Sequence, residues 1–365
     1  MSNSEINNSK MNDYKMNLDL RSINKCIRCG TCRSVCPVFE EEGWESSSTR
    51  GRMLVMKRLA DGRQAYDEDL KSLNTCTTCG VCSESCPAGV IPQDLIMDSR
   101  RELASLGVMT MEQMKLAQAI NDSGNALGDT SSRLSWLEGK SLVPEKADYV
   151  YFAGCLSSYR YPESASRTFE VLRRFGATVL RDEKCCGSPL IRTGFPAARF
   201  VDHNTAQIES TGAHTVITGC AGCYATLKKD YPKSFKVQSI PEFLADRIPE
   251  LGLKRLDLTV SYHDPCHLGR YHHVYEQPRQ VIEAICNLKE MKSSREKSRC
   301  CGGGGGVRAG YKDLSLRMAK RRLKDVPEGV DYIITSCPLC IRNLNDAGGK
   351  AMDLLDLVAR AIKQS

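Results

Sequence analysis

The sequence predicts an α/β protein in three parts: a helical amino-terminal domain bearing two matched cysteine runs, then two pseudo-symmetric α/β domains. Three observations predict it. From about residue 147 onward, short β-branched runs alternate with helical patterns, as parallel α/β units require. That stretch then repeats itself once, cysteines included. Ahead of it, two C-x2-C-x2-C-x3-C-P runs, Cys26, Cys29, Cys32, Cys36-Pro37 and Cys76, Cys79, Cys82, Cys86-Pro87, flank a helical segment.

Length and composition bound the rest. A chain of 365 residues, 41% of them hydrophobic, can bury real cores in two or three domains. Its 19 cysteines are odd in number and sit in too long a chain for a small secreted disulfide scaffold. The polar stretch Met1 to Asn17 has no apolar core of a signal peptide, and no run of about 18 apolar residues could span a bilayer. We expect a reducing, low-oxygen cytoplasm. The formal charge of +7 falls to roughly +3 if two metal clusters of about −2 each are bound. Without an aromatic and basic stripe, no nucleic-acid partner is expected.

The elements follow in order. Residues 1–20 read as a disordered polar tail. Residues 21–120 form the helical domain. Within it Ser48 caps an amphipathic run from Thr49 to Leu59, and 94–118 read as helix through Leu95, Ile96, Leu103, Leu106, Met111, Met114 and Leu116. A turn-rich stretch makes 121–146 a linker. The first α/β domain, 147–255, runs strand (149–153), Cys155, helix (163–175), Cys185-Cys186-Gly187, helix (197–210), strand (215–218), Cys220-x2-Cys223. The second, 256–365, repeats it: strand (258–262), Cys266, helix (278–288), Cys300-Cys301-Gly302, helix (314–324), strand (332–335), Cys337-x2-Cys340. The single cysteines and the C-x2-C pairs follow strands, at the carboxyl edge where open α/β sheets place ligands.

The short runs suit [4Fe-4S] cubanes. Tight x2 loops aim three sulfurs inward, and the fourth cysteine of each run serves the other cluster. One cubane would take Cys26, Cys29, Cys32 and Cys86; the other Cys76, Cys79, Cys82 and Cys36. Paired zinc sites are the alternative, but zinc frames lack the third cysteine and the trailing proline. In the five-cysteine frames an adjacent Cys-Cys pair serves one tetrahedral ion badly, and five ligands exceed what structural zinc takes. A larger or irregular cluster would use all five. One ordinary cubane or zinc per frame with a spare thiol stays open.

The frames C-x29-CC-x33-C-x2-C and C-x33-CC-x35-C-x2-C match the cysteine-rich CCG domain. Two of them behind a ferredoxin-like twin-cubane domain resemble the heterodisulfide reductase family, as its D subunit or as its C and B subunits fused end to end. The likeness covers about residues 21–345. The strings Tyr262-His263-Asp264-Pro265-Cys266-His267 and Cys300-Cys301-Gly302-Gly303-Gly304-Gly305 are shared more widely, with iron–sulfur subunits of flavin-linked glycerol-3-phosphate, glycolate and lactate dehydrogenases. The resemblance implies two noncubane [4Fe-4S] clusters, one on Cys155, Cys185, Cys186, Cys220 and Cys223, the other on Cys266, Cys300, Cys301, Cys337 and Cys340. It implies an anaerobic oxidoreductase of methanogenesis that reduces the mixed disulfide of coenzymes M and B to two thiols, with electrons relayed through the cubanes. The alternative is electron transfer for one of those dehydrogenases. The chain has no flavin or nicotinamide fingerprint, so a separate electron donor is expected: a cytochrome b, a flavoprotein or a hydrogenase-type partner. The expected location is the cytoplasm, at the inner face of the membrane where such a partner is membrane-bound.

Smaller features complete the reading. Gly302–Gly306 lack the Gly-Lys-Ser/Thr of a phosphate loop and instead suit a close backbone approach near a cluster. Cys286, on an apolar helical stripe, reads as a buried small hydrophobe. His263 and His267 flank Cys266 and are either cluster contacts, proton donors or hydrogen-bonded structural histidines. Lys320-Arg321-Arg322 reads as a solvated helix face. Because both coenzymes are acidic, Arg192 and Arg308, just past the two CCG turns, are the substrate-binding candidates.

Overall fold

The computed structural model describes residues 16–137 and 145–362. Most of the expected tail, and residues 138–144 of the expected linker, lie outside the described residues. The chain divides into two compact units. One comprises Met1–Gln118 with Pro189–Pro196 and Arg299–Ala319; the other comprises Ala119–Ser188, Ala197–Ser298 and Lys320–Ser365.

The first unit is helical. Ser48 caps helix Thr49–Ala60 by accepting from the Gly51 amide at 3.0 Å, which satisfies one of the free amides of the first turn. Met53, Met56 and Leu59 of that helix join Leu70, Leu73, Ile96 and Leu103 in one core. Met16 and Leu18, from the end of the expected tail, are buried in the same core. The single helix expected over 94–118 is two, Pro92–Ser105 and Met111–Ser123. Gly107, at φ +73°, follows the first and ends it in the left-handed region.

The second unit holds two four-stranded parallel sheets with the same topology. In the first, β1 (Tyr149–Tyr151), β2 (Ala177–Val179), β3 (Thr215–Thr218) and β4 (Lys236–Ser239) lie in the order β2-β1-β3-β4. In the second, β5 (Thr259–Tyr262), β6 (Asn287–Leu288), β7 (Tyr332–Thr335) and β8 (Ala351–Asp353) lie in the order β6-β5-β7-β8. The inner pairs β1–β3 and β5–β7 are the strands that the sequence announces. Of the outer four, β6 has only two residues and neither β6 nor β8 holds a β-branched residue, so these two escape a pattern search.

Between the sheets lies one shared core. Helix Pro162–Arg173 of the first half packs on Leu354–Ala361 of the second, and Ile240–Ala245 of the first packs on Glu276–Ile285 of the second. Each half therefore offers the helix near its first strand and the helix after its last, and each meets the other kind. That is an isologous, two-fold arrangement. Phe169, Phe243, Ile282 and Val358 fill it. Cys286 is buried there too, its thiol pushed up to about 11 by burial.

Candidate metal centres

In the first unit the two short cysteine runs fold alike. Arg28 and Thr78 have φ of 60° and 50°, and Gly30 and Gly80 follow at 86° and 77°. Left-handed residues at matching places turn each loop back on itself. The Thr78 amide donates to Cys76 Sγ and the Val90 amide to Cys86 Sγ, each at 3.4 Å. Cys26, Cys29 and Cys32 line one cavity together with Cys86 and Arg50. The Cys32 thiol is pushed up to about 11 by burial, then by Cys26, Cys36, Cys29 and Cys86. Burial likewise drives Cys82 well up, followed by Cys79, Cys76 and Cys36. Cys29 is exposed, whereas Cys76, Cys79 and Cys82 are buried.

Two buried guanidinium groups flank the second set. Arg52 donates to Cys36 Sγ at 3.7 Å, to the Ser72 carbonyl at 2.6 Å and to Thr75 Oγ1 at 3.1 Å. Arg100 is fully buried and donates to the carbonyls of Leu73, Cys76, Arg192 and Gly305 at 2.7–3.1 Å. None of these bonds goes to a carboxylate. Fixed positive charge beside four thiols fits a group of net negative charge, as a thiolate-bound cluster is. The glycine run approaches here as expected. A Cβ on Gly305 would lie 2.4 Å from the Cys76 carbonyl oxygen.

In the second unit Cys155 and Cys220 follow β1 and β3, on either side of the point where the strand order reverses. That crevice is where open α/β sheets gather ligands. Gly154, at φ +78°, leaves only 3.1 Å between a Cβ and Cys223 Sγ, so the turn needs glycine. The sulfurs of Cys155 and Cys185, Cys185 and Cys186, Cys186 and Cys223, and Cys223 and Cys220 are neighbours that act on one another's protonation. The five sulfurs of the first frame thus form one continuous chain. Cys185 lowers Cys186 to about 6, and Cys223, then Cys337, lower Cys220 well below the ordinary thiol range. Cys220 is the residue before helix Ala221–Asp230, and the Cys223 and Gly222 main chain helps hold its thiol low. An all-sulfur set held partly as thiolate suits iron–sulfur ligation.

The Cys220–Cys337 contact carries the chain of sulfurs from the first frame into the second. Cys337 in turn caps helix Pro338–Asp346, with Cys340 in its first turn. Both CCG turns place a left-handed glycine third, Gly187 at φ 89° and Gly302 at 84°. Each glycine amide returns to the sulfur two residues back, Cys185 or Cys300. Cys266 follows β5 and is half-buried, whereas Cys300 and Cys301 are buried and belong to the first compact unit.

One side chain stands otherwise than the sequence suggests. Arg322, expected on a solvated face, is fully buried. Its Nε donates to His263 Nδ1 at 3.0 Å and its Nη1 to Asp325 at 2.9 Å. His263 therefore keeps its proton on Nε2. His267 is buried edge-on to Tyr271. Arg192 is 8% exposed with a guanidinium nitrogen 4.0 Å from Met97 Sδ, and Arg308 is half-buried. Sequence reading missed Arg52, Arg100, Arg133 and Glu183 altogether. The signal for three of the buried arginines was present: Arg52, Arg100 and Arg322 each fall three or four residues from buried residues of the inward helical stripe.

Comparison with known proteins agrees with this geometry. The family model described as "4Fe-4S dicluster domain" matches residues 22–90, and that described as "Cysteine-rich domain" matches 149–228 and 260–345. The D subunit of the dihydromethanophenazine:CoB–CoM heterodisulfide reductase of Methanosarcina acetivorans is 36% identical, over 94% of this chain and 95% of its own length. The chain belongs to the family of heterodisulfide reductase D subunits. The D subunit of Methanosarcina barkeri is similar at 34%, over 94% of this chain and 95% of its own. The B subunit of the fumarate reductase (CoM/CoB) of Methanothermobacter marburgensis is 33% identical over 98% of this chain and 75% of its own. This is an iron–sulfur protein with a helical dicluster domain and two α/β cysteine-rich domains. Among the described residues no helix is long and apolar enough to cross a membrane.

Proposed function

We propose that this chain is the catalytic iron–sulfur subunit of a heterodisulfide reductase. It reduces the mixed disulfide of coenzymes M and B, taking up two electrons and two protons and releasing two thiols. The observation that supports the reading is the closeness of Cys220, of the first five-cysteine frame, to Cys337, of the second. One sulfur from each frame would then be within reach of one sulfur–sulfur bond.

Cys26, Cys29, Cys32 and Cys86 would hold one cubane, and Cys76, Cys79, Cys82 and Cys36 the other. The frames Cys155, Cys185, Cys186, Cys220, Cys223 and Cys266, Cys300, Cys301, Cys337, Cys340 would hold the noncubane pair. Such clusters supply one-electron transfer when bound. The protein's own part is electrostatic. The helix starts at Ala221 and Pro338 turn positive dipole ends toward Cys220 and Cys337, which favours anionic sulfur there. Arg192 and Arg308 remain the candidates for gripping sulfonate or phosphate. Electrons come from a separate donor of cytochrome b, flavoprotein or hydrogenase type, and a membrane-bound donor would bring the chain to the membrane surface. The three relatives compared above carry coenzymes M and B in their names, and they favour this reading over a role in a hydroxy-acid or glycerol-phosphate dehydrogenase.

The test is turnover. Full-length protein, purified without oxygen and supplied with reduced benzyl viologen, should oxidise the dye only when the coenzyme M–coenzyme B disulfide is added. It should release both thiols in equal amounts. Dye oxidation without thiol release, or none with this disulfide, overturns the proposal.

A further inference from the structure

The mouth of the first frame is braced by two charged residues that no cysteine motif predicts. Arg133 is 9% exposed as a residue and Glu183 5%. Arg133 Nη1 donates to Glu183 Oε1 at 2.7 Å, while Nη2 donates to Cys155 Sγ at 3.4 Å and to the Gly124 carbonyl at 3.3 Å. Glu183 holds the other side of the same turn, accepting from the amides of Ala153 at 2.8 Å and Gly154 at 2.9 Å. The ring of Tyr159 lies 5.5 Å from the guanidinium carbon. A positive charge is thus aimed at one sulfur of the set, and a carboxyl group is tied behind it, pushed up to about 7 by burial against the pull of Arg133 and the two amides.

The corresponding place in the second frame is built otherwise. Asp264 stands where the first frame has Ala153, two residues before its cysteine, and Arg279 is bound to Asp264 at 2.8 and 3.1 Å and to Glu290 at 2.5 and 3.0 Å. There the guanidinium is spent on two carboxylates. The charges around the two loops that lead into Cys155 and Cys266 are therefore arranged differently.

We propose that Arg133 and Glu183 set the reduction potential of the cluster held by the first frame, Arg133 raising it and Glu183 holding it down, so that the two frames are not equivalent electron acceptors. The proposal rests on the reading that the first frame holds a redox-active cluster. Adding one electron makes the cluster more negative. A cationic hydrogen-bond donor on a ligand sulfur favours that state, and a neighbouring carboxylate opposes it. Arg133 and Glu183 are positioning residues: they touch the ligand loop and its sulfur, and neither enters the disulfide chemistry.

The experiment is a redox titration of the full-length protein, iron-loaded and oxygen-free, followed by paramagnetic resonance. Arg133→Met should lower one cluster's reduction equilibrium constant tenfold or more, about 59 mV for one electron, and leave the other signals in place. Glu183→Gln should move the same signal the opposite way. The polar cavity of about 420 Å3 beside Arg133 leaves room for the changed side chains without overpacking. Arg133→Lys keeps the charge and should fall between wild type and Arg133→Met. Unchanged potentials in an iron-replete Arg133 variant, or Met and Gln variants that shift the same signal in the same direction, overturn the proposal. Iron content and the wild-type signal report separately on whether the first frame holds a cluster at all.

Discussion

Arg100 shows how much one buried charge can organise. Its guanidinium binds four main-chain carbonyls drawn from three separate stretches of the first unit, and those of Cys76 and Gly305 sit beside predicted cluster ligands. Burial pushes it down to about 10, which leaves it charged at neutral pH. Stripping a partner from a buried carbonyl costs about 1–3 kcal/mol each, so Arg100→Met should lose about 4 kcal/mol or more. Anaerobic urea unfolding of the full chain measures this, and iron bound by the short runs should fall with it. The loss follows from position. Arg100 was overlooked because arginine is read by default as a surface residue, although its spacing from Ile96 and Leu103 puts it on the inward stripe. Arg133 and Glu183 were beyond sequence reasoning for another reason. Their partners lie 22 and 29–30 residues away along the chain, a distance that no local pattern carries.

At the scale of elements, close approach outweighs propensity. Gly51 stands in the first turn of helix Thr49–Ala60, where a Cβ would lie 1.9 Å from the Glu45 carbonyl oxygen and 2.9 Å from Ser46 Cα. Alanine is worth up to about 1 kcal/mol over glycine in a helix interior. A clash with fixed backbone exceeds that, so Gly51→Ala should lower the melting temperature of the anaerobic protein, where propensity alone predicts a rise. An equal or higher melting temperature would show that the loop before the helix yields. The helix itself was legible from its Ser48 cap and its apolar spacing. The inner strands were legible from their β-branched runs, and the Cys-x2-Cys pairs from their place after them. The two helices that Cys220 and Cys337 cap were not, because the motif drew the eye to the sulfurs and away from the turn they begin. β6 was hidden by its length: it is two residues long and gains its place only by pairing with β5.

At the scale of the whole molecule, the sequence repeat becomes a structural two-fold. Each half builds a sheet of order 2-1-3-4, and the helix near its first strand meets the helix after the other half's last. The sequence showed the repeat and the edge where each half gathers its cysteines. It did not show that Cys220 and Cys337 lie together, since they are far apart in the chain. On the proposed function, that meeting would let a pair of one-electron sites act on a two-electron bond. The most direct measurement is iron content together with paramagnetic resonance of the oxidised, oxygen-free protein, before and after adding each thiol coenzyme. The account predicts about sixteen irons per chain and a new signal that appears only with thiol. About eight irons and a spectrum indifferent to thiol would contradict it.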